Sequence, residues 1–290
     1  MKIKFWGTRG SIPVPGPNTV KYGGNTPCIQ VISEKGTSVI IDAGTGIRNL
    51  GIELISGKYT KELNLLISHS HWDHIQGIPF FIPFFRSDFK INIFSNAKDD
   101  MDVSHVIDSQ MHPFYFPVNK EDVFKSTIEY HKIEPLKKYQ FDGLTIETES
   151  VHHSKGTLSF KITEKDKSVV YMTDNEIYYD AINNMPNPDR IYELNKTQID
   201  FCKNVDYLIH DSQYTLEDFN RKIGWGHSNN IALSYFSDLA KIKNLVLFHY
   251  DPDYSDAMVE NIILDTKNFL NKIKSSVNCI PSKELLEITI

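Results

Sequence analysis

Residues 65–74 read Leu65-Leu66-Ile67-Ser68-His69-Ser70-His71-Trp72-Asp73-His74. An apolar strand pattern runs directly into three histidines and an aspartate. Neutral imidazole and carboxylate are ligands that bind zinc-like cations. These four side chains lie within six residues of one another, and strand and turn geometry points alternate side chains apart. The stretch therefore predicts two neighbouring metals, one bound by His69 and His71 and the other by Asp73 and His74.

Length and composition favour a single domain over residues 1–290. The chain contains no internal repeat, low-complexity tract or Pro/Ser-rich linker, and its 40% hydrophobic content is sufficient for a core. No apolar stretch is long enough to span a membrane, and the first residues read as a strand and not as a signal peptide. The three cysteines lie far apart, which disfavours a disulfide framework and predicts a cytoplasmic protein.

The formal net charge of −6 argues against extended, sequence-independent nucleic-acid binding. That mode depends on a basic face that releases counterions from the phosphate backbone. A small anionic substrate is still compatible with this charge, because two divalent ions supply local positive charge whatever the global sign.

Strand patterns recur along the chain and alternate with helix patterns in its second half. Early strands in a meander, followed by alternating strands and helices, predict two sheets with helices packed outside. Helices are predicted near residues 188–202, 229–241 and 256–274, and an extended end near residues 284–290. The predicted strands are Ile3–Trp6, Cys28–Ser33, Ser38–Asp42, Leu63–Ser68, Ile91–Ser95, Leu144–Ser150, Leu158–Thr163, Ser168–Thr173, Tyr207–His210 and Leu245–His249.

Four of these strands end at polar residues that could carry chemistry, namely His69, Asp174, Asp211 and His249. A sheet whose strand ends deliver such residues to one edge is the usual geometry of an active site on an α/β scaffold. Asp42, the last residue of its predicted strand, is interpreted as a residue that fixes a loop beneath the metals.

The segment from Pro79 to Tyr139 is rich in aromatic residues and proline. One interpretation is a crossover that contributes to the core. The other is a lip over the metal site or a subunit contact, since aromatic clusters are enriched at interfaces.

The pattern His-x-His-x-Asp-His, with a later His, Asp and His at strand ends, resembles the metallo-β-lactamase superfamily. The resemblance covers essentially the whole chain and implies an α/β fold, the four-layer αββα sandwich. It also implies two divalent ions per chain, most often zinc, with manganese or iron as alternatives. In the dinuclear members, one aspartate bridges the two metals. Carried over to this sequence, the implied ligands are His69, His71 and His153 for one ion, Asp73, His74 and His249 for the other, and Asp174 as the bridge.

The distal histidine of the first metal lies in Val151-His152-His153-Ser154-Lys155-Gly156-Thr157-Leu158. His153 is the implied ligand because phosphodiesterase-type members place a Gly three residues and a Leu five residues after it. His152 is the alternative, and it would face the opposite side if the strand continues.

Two further elements resemble those of ribonuclease Z and related phosphodiesterases: Ile209-His210-Asp211-Ser212-Gln213-Tyr214 and Gly224-Trp225-Gly226-His227-Ser228. Hydrolysis of a P–O bond needs a proton donor or a charge stabiliser near the leaving oxygen. His227 is the candidate, and Asp211 would fix its tautomer and keep it protonated. Together with Asp73, these residues form the candidate catalytic set.

The N-terminal motifs Gly7-Thr8-Arg9-Gly10-Ser11-Ile12-Pro13 and Tyr22-Gly23-Gly24-Asn25-Thr26 resemble the cyclic-nucleotide and PhnP-like phosphodiesterase branch. They also look like phage anti-Pycsar phosphodiesterases, which are dimers that hydrolyse cyclic nucleotides. The resemblance implies evasion of anti-phage defence and, for a phage-encoded protein, a location in the host cytoplasm. The expected reaction is attack on a 3′,5′-cyclic mononucleotide by a hydroxide shared between the two ions.

The nearest alternative is a tRNA 3′-processing endonuclease of the ribonuclease Z type. Such enzymes typically carry a basic, Gly/Pro-rich arm that grips tRNA, and neither a lysine-rich insertion nor a basic balance is evident here. An iron-containing oxidoreductase of the same superfamily would carry extra redox domains or a modified motif. A metal-stabilised binding protein is disfavoured because metal sites kept only for stability are usually coordinatively closed.

Overall fold

The computed structural model describes residues 1–57, 59–96, 103–182 and 185–290, and strands are numbered here in chain order. Over these residues, two large mixed sheets form the centre of the molecule. The first sheet has the strand order β16-β1-β2-β3-β4-β5-β6 and the second has the order β15-β14-β13-β10-β9-β8-β7. The strands of the first sheet are β1 (Lys2–Gly7), β2 (Cys28–Ile32), β3 (Ser38–Ile41), β4 (Glu62–Ile67), β5 (Lys90–Ser95), β6 (Thr127–Lys132) and β16 (Glu287–Thr289).

The second sheet repeats the design of the first, with an antiparallel part and a parallel part. Strands β7 to β10 are antiparallel, whereas β10, β13, β14 and β15 are parallel. A short pair, β11 (Ala181–Ile182) and β12 (Met185–Pro186), stands apart from both sheets. The strands of the second sheet are β7 (Lys138–Phe141), β8 (Leu144–Ser150), β9 (Leu158–Glu164), β10 (Lys167–Met172), β13 (Tyr207–Asp211), β14 (Asn244–Phe248) and β15 (Asn278–Pro281).

Helices cover the outer faces of the two sheets. In chain order they are α1 (Ile47–Leu54), α2 (Trp72–Ile75), α3 (Val103–Gln110), α4 (Lys120–Val123), α5 (Pro188–Leu194), α6 (Lys196–Cys202), α7 (Leu216–Phe219), α8 (Asn230–Leu239) and α9 (Asp256–Lys272). Two single 3₁₀ turns lie at Ile78–Phe80 and Ile82–Phe85. No helix in the described ranges is long and apolar enough to cross a membrane.

Alternation of side chains along the strands explains the layered core. In β10, Val169 and Tyr171 pack between the two sheets, whereas Val170 and Met172 pack against the helices outside the second sheet. Successive side chains of a strand point to opposite faces, so a strand buried on both faces is apolar at every position. Three apolar clusters result, one between the sheets and one outside each sheet. The expected αββα sandwich is therefore confirmed.

The observed elements differ from the predicted ones mainly at their ends. All ten predicted strands are present within one residue of their expected bounds, whereas β6, β7, β11, β12 and β15 were not predicted. The helix predicted over residues 188–202 is two helices. They are separated at Asn195, whose backbone leaves the helical region and whose side-chain amide donates to the carbonyl oxygen of Ile191.

The aromatic segment 79–139 is partly buried and partly exposed. Its residues 97–102 lie outside the described part of the chain. Phe81 and Phe84 are fully buried in the cluster outside the first sheet. Phe114 and Tyr115, by contrast, are 83% and 76% exposed. The segment therefore contributes to the core and also presents an aromatic surface.

Candidate metal centre

Loops at one edge of the two sheets bring seven of the sequence-predicted residues together. The first sheet contributes the loop after β4 and helix α2. The second sheet contributes the loops after β8, β10 and β14. The resulting side chains form two groups that could each hold a metal ion, with ligand atoms within 4.8 Å of one another. The first ligand group is His69, His71, His153 and Asp174; the second ligand group is Asp73, His74, Asp174 and His249.

The histidine rings of the first ligand group point their nitrogens at one another. His153 Nε2 lies 3.0 Å from His71 Nδ1 and 3.5 Å from Asp174 Oδ2. His69 Nε2 lies 3.4 Å from the same carboxylate oxygen. Three imidazoles and one carboxylate oxygen thus surround one point.

In the second ligand group, the Asp73 carboxylate lies between two imidazoles. Its Oδ2 is 3.1 Å from His249 Nε2 and 3.4 Å from His74 Nε2. The backbone N–H of Ser11 donates to the same oxygen at 2.7 Å. The N-terminal Gly-Ser loop therefore positions a candidate ligand by a direct hydrogen bond.

Asp174 belongs to both groups. Its Oδ1 lies 3.2 Å from His249 Nε2, and its Oδ2 lies 3.3 Å from His74 Nε2 as well as beside the rings of the first ligand group. One carboxylate that faces imidazoles of both groups has the arrangement expected of a ligand shared by two ions.

The donor set fits divalent metals. His69 Nε2 and His74 Nε2 are buried and have no hydrogen-bond partner among the described residues. A buried polar atom without a partner costs free energy, so such atoms call for an explanation, and an ion is a common one. Imidazole and carboxylate are ligands that zinc, manganese and iron accept. The chain therefore has His/Asp groups able to hold metal ions.

Each histidine whose Nε2 faces the centre is held through its other ring nitrogen. His74 Nδ1 lies 2.7 Å from Asp42 Oδ2, and His249 Nδ1 lies 2.8 Å from Gln213 Oε1. His153 Nδ1 lies 2.9 Å from the carbonyl oxygen of Gly226. An acceptor at Nδ1 fixes the N–H there and leaves Nε2 with its lone pair toward a metal. His69 Nδ1 lies 3.1 Å from the Ser68 hydroxyl.

Unusual backbone conformations aim these side chains. Asp42, Asp174 and His249 have φ values of 61°, 53° and 58°. This left-handed region is costly for residues other than glycine and persists where the surrounding structure imposes it. Asp42 and His249 follow directly after β3 and β14, and Asp174 lies two residues after β10, so the turn of the backbone directs each side chain across the edge of the sheets. Gly10 is required for a different reason, because a Cβ there would lie 2.5 Å from the His249 ring.

Burial and charge set the protonation of the candidate ligands. Burial lowers the pKa of His69 to about 3 and that of His153 to about 4, which leaves both rings neutral. Burial also acts to lower the pKa of His74, but the carboxylates of Asp73 and Asp174 outweigh it and raise that pKa well above its usual value. The second ligand group is thus the more negative environment of the two.

His227 lies beside both groups and not within either. Its ring is stacked on His249 at a centroid distance of 5.2 Å and lies 5.1 Å from the ring of His153. Its Nδ1 is 3.6 Å from Asp211 Oδ2, a distance suited to an ion pair and too long for a hydrogen bond. Burial acts to lower the pKa of His227, but Asp211 and Asp174 outweigh this effect and raise it.

Asp211 is fully buried and holds two segments of the site. It accepts hydrogen bonds from the backbone N–H groups of Asn175 and Ser228, and His210 lies beside it with Nδ1 at 3.2 Å. Burial acts to raise the pKa of Asp211, but His210 and His227 outweigh it and lower that pKa.

His152 points away from the centre. Its ring stacks on Tyr178 at 4.2 Å, and its Nδ1 lies 3.2 Å from the carbonyl oxygen of Glu176. Of the two adjacent histidines, the structure brings His153 to the ligand groups.

Sequence reasoning missed three supporting residues: Gln213, Glu176 and Tyr171. Asp211 is the last residue of β13, and Gln213 lies only two residues after it. This position just beyond a strand end could have marked Gln213 as a candidate site residue. Glu176 similarly follows the Asp174 loop. The Tyr171 hydroxyl donates a hydrogen bond to Asp42 Oδ2 at 2.8 Å, from one sheet to the other. No local sequence pattern predicts this contact.

Known proteins are similar to this chain in sequence and in fold. The Beta-lactamase superfamily domain matches residues 37–250. A ribonuclease Z from Picrophilus torridus is 27% identical, over 100% of this chain and 96% of its own length. The metallo-β-lactamase fold protein YhfI from Bacillus subtilis superposes with a TM-score of 0.71 at 17% identity, covering 99% of this chain and 98% of YhfI. Yeast PDE1 superposes with a TM-score of 0.65 at 14% identity, covering 100% of this chain and 99% of PDE1.

The fold and the His/Asp groups define a metal-dependent hydrolase. The chain belongs to the metallo-β-lactamase superfamily and is related to ribonuclease Z. This agrees with the resemblance drawn from the His-x-His-x-Asp-His motif.

Proposed function

We propose that this chain is a dinuclear phosphodiesterase that hydrolyses 3′,5′-cyclic mononucleotides. The observation that carries the proposal is the shared Asp174 carboxylate, which faces imidazoles of both ligand groups, with His227 beside them. We assign one ion to the first ligand group and one to the second, and we propose that both are zinc. When bound, two such ions would supply activated water near neutral pH and would neutralise the oxygens of a phosphodiester.

The protein side chains divide the remaining work. The buried acceptors at the Nδ1 atoms of His74, His153 and His249 fix which nitrogen faces the ions. Asp73 is held by Ser11 on the side of the second ligand group. These contacts preorganise the site, so little reorganisation accompanies the reaction.

We assign the leaving-group side of the reaction to His227. A ribose oxygen leaves poorly unless it gains a proton, and a histidine is a suitable donor near neutral pH. The carboxylate of Asp211 favours the protonated ring and lies on its Nδ1 side, which leaves Nε2 to face a substrate. Asp211 is in turn fixed by Asn175 and Ser228, so the pair is rigid.

A small substrate is favoured over a structured RNA by charge. A net charge of −6 opposes the backbone-dominated binding on which tRNA recognition depends. The second candidate function is nevertheless a tRNA 3′-processing endonuclease, because the curated relatives that match over most of the chain are named ribonuclease Z.

The discriminating experiment offers purified, zinc-loaded protein 3′,5′-cyclic mononucleotides, cyclic dinucleotides, bis-p-nitrophenyl phosphate and precursor tRNA. We expect turnover of a cyclic mononucleotide and an intact tRNA trailer. Efficient trailer cleavage without cyclic-nucleotide turnover would assign the protein to the second candidate function.

The His227→Ala variant tests the proposed proton donor. We expect metal content to stay at wild-type level and turnover of a cyclic nucleotide to fall by about 10²–10⁴, the usual range for a general acid. The loss should shrink for bis-p-nitrophenyl phosphate, whose leaving group departs without protonation. Loss of a metal would instead make His227 a ligand, and unchanged rates on both substrates would remove it from the mechanism.

We further propose a homodimer that forms through exposed aromatic residues of the segment Phe80–Pro117 and the neighbouring Trp72. Trp72, Phe80, Tyr115 and Phe116 line a groove of about 720 Å³, and Phe114 beside them is 83% exposed. Apolar surface of this kind marks interaction sites. Sedimentation at micromolar concentration should show a dimer, and Phe114→Ser with Tyr115→Ser should shift it to a monomer.

We place the enzyme in the cytoplasm, that of the host if a phage encodes it, where it would degrade a cyclic-nucleotide defence signal. Its cysteines, Cys28, Cys202 and Cys279, are free and buried, as is common in a reducing compartment.

A further inference from the structure

A buried carboxylate outside both ligand groups holds the turn that leads into His227. Glu176 is only 4% exposed, and its oxygens accept hydrogen bonds from the backbone N–H of Gly224 at 3.0 Å and of Gly226 at 2.8 Å. Among the described residues, no lysine or arginine forms an ion pair with Glu176. Backbone amides therefore satisfy its buried carboxyl oxygens.

The turn at residues 224–226, called here the glycine turn, has little apolar anchoring of its own. Ile223 and Trp225 are 65% and 63% exposed, so neither side chain ties the turn to a core. Gly224 and Gly226 have φ values of 85° and 83°, a conformation that glycine adopts without strain. Glu176 is consequently an internal anchor of a turn whose large side chains lie in solvent.

The glycine turn touches the reaction centre on two sides. The carbonyl oxygen of Gly226 lies 2.9 Å from His153 Nδ1, and a Cβ on Gly226 would lie 2.1 Å from that nitrogen. His227 is the next residue, and its ring lies against those of His153 and His249. Any shift of the turn therefore moves His227 relative to the ligand groups.

Glu176 is itself fixed to the same edge of the sheets. Its backbone N–H donates to the carbonyl oxygen of His152 at 2.8 Å, and the neighbouring Asn175 side chain accepts from the N–H of His152. Glu176 thus links the loop after β10, the loop after β8 and the glycine turn.

We propose that Glu176 is a positioning residue that sets His227 for proton donation by fixing the glycine turn. The inference rests on the proposed function, because the role of His227 belongs to it. Misplacement of a reacting group by about 1 Å can lower a rate by as much as a hundredfold. Glu176 acts through the turn and does not touch the substrate.

The test is Glu176→Gln, in which the carboxamide keeps the shape but is neutral and offers one acceptor oxygen where the carboxylate offers two. We expect kcat on a cyclic nucleotide to fall about tenfold with KM within about threefold, and a much smaller loss on bis-p-nitrophenyl phosphate. Metal content should stay at wild-type level. In a His227→Ala background the same substitution should change kcat by less than about twofold, because the residue through which Glu176 acts is already absent. Glu217→Gln, an exposed carboxylate on α7, is the matched control and should change neither parameter.

A second measurement does not depend on activity or on the folding of the variant. Amide hydrogen exchange in the zinc-loaded wild-type protein, followed by NMR, should show slow exchange at Gly224 and Gly226 despite their exposed neighbours. Rapid exchange there would overturn the inference. So would wild-type kcat in Glu176→Gln, an equal loss on both substrates, or a loss that persists fully in the His227→Ala background. If the wild-type protein hydrolyses no phosphodiester, the proposed function fails; if only the predictions for Glu176 fail, the proposed function stands.

Discussion

The two sheets supply candidate metal ligands in different ways. The first sheet delivers His69, His71, Asp73 and His74 from one continuous stretch after β4. The second sheet delivers His153, Asp174 and His249 singly, from three loops that are far apart in the chain. One side is a local motif, and the other exists only through the topology of the sheet.

Their supports differ as well. On the first side, the Asp42 carboxylate lies 2.7 Å from His74 and also accepts from Ser68. On the second side, the supports of His153 and His249 are a backbone carbonyl and a neutral side-chain amide. The comparison teaches that charge stabilises the local motif, whereas backbone geometry positions the dispersed ligands.

The largest effect is expected where the two sides meet. Asp174→Ala removes the carboxylate that faces both ligand groups, so it should lose both metals and at least about 10³ in activity, because the proposed ions would supply the activated water. Elemental analysis and turnover measure the two losses. Asp166→Ala, an exposed aspartate in the β9–β10 turn, is the control and should behave as wild type. Retention of both metals by the Asp174 variant would show that neither ligand group needs the shared carboxylate to bind its metal.

Asp42→Asn tests the charged support of the first side. The substitution keeps the size of the side chain but weakens its bonds to His74, Ser68 and Tyr171. We expect zinc affinity to fall by about 10–100-fold and the free energy of unfolding to fall by about 3 kcal/mol. Zinc titration and urea unfolding of the metal-free protein give the two values. Asp142→Asn, an exposed turn aspartate, is the control, and an unchanged unfolding free energy at Asp42 would contradict the argument.

Gln213→Leu tests the neutral support of the second side. His249 loses the acceptor at its Nδ1, which should weaken zinc binding by about tenfold. The unfolding free energy should change by only about 1 kcal/mol, since a neutral hydrogen bond contributes less than a charged one. A stability loss as large as that of Asp42→Asn would remove the distinction between the two sides.

The smallest effect is expected at His152. Its ring contacts Tyr178 and not the ligand groups, so His152→Ala should keep both metals and wild-type kcat. The stability loss should be about 1 kcal/mol from the lost stacking. His153→Ala, made beside it, should lose metal; the reverse result would exchange the two assignments.

How far the sequence predicts this molecule follows from the same difference. The local motif after β4 is visible because its ligands are neighbours in the chain, and the strand patterns define the layers because both faces of the central strands are buried. Gln213 and Glu176 are not predicted because their partners, the His249 ring and the backbone amides of Gly224 and Gly226, lie in other loops, and such contacts leave no periodic pattern in the sequence. The edge strands β6 and β7 were missed because they are half exposed and carry mixed side chains.

The hydroxyl of Tyr171 gives the centre a kinetic property. Tyr171 lies in the second sheet, within the core between the sheets, and donates to Asp42 of the first sheet, which holds His74. A fluctuation that separates the sheets would break this bond and weaken the support that Asp42 gives to His74. Dissociation of an ion from the second ligand group should therefore be slow, with transient separation of the two sheets as the rate-limiting step. Chelators should strip that ion at a rate that does not depend on their concentration.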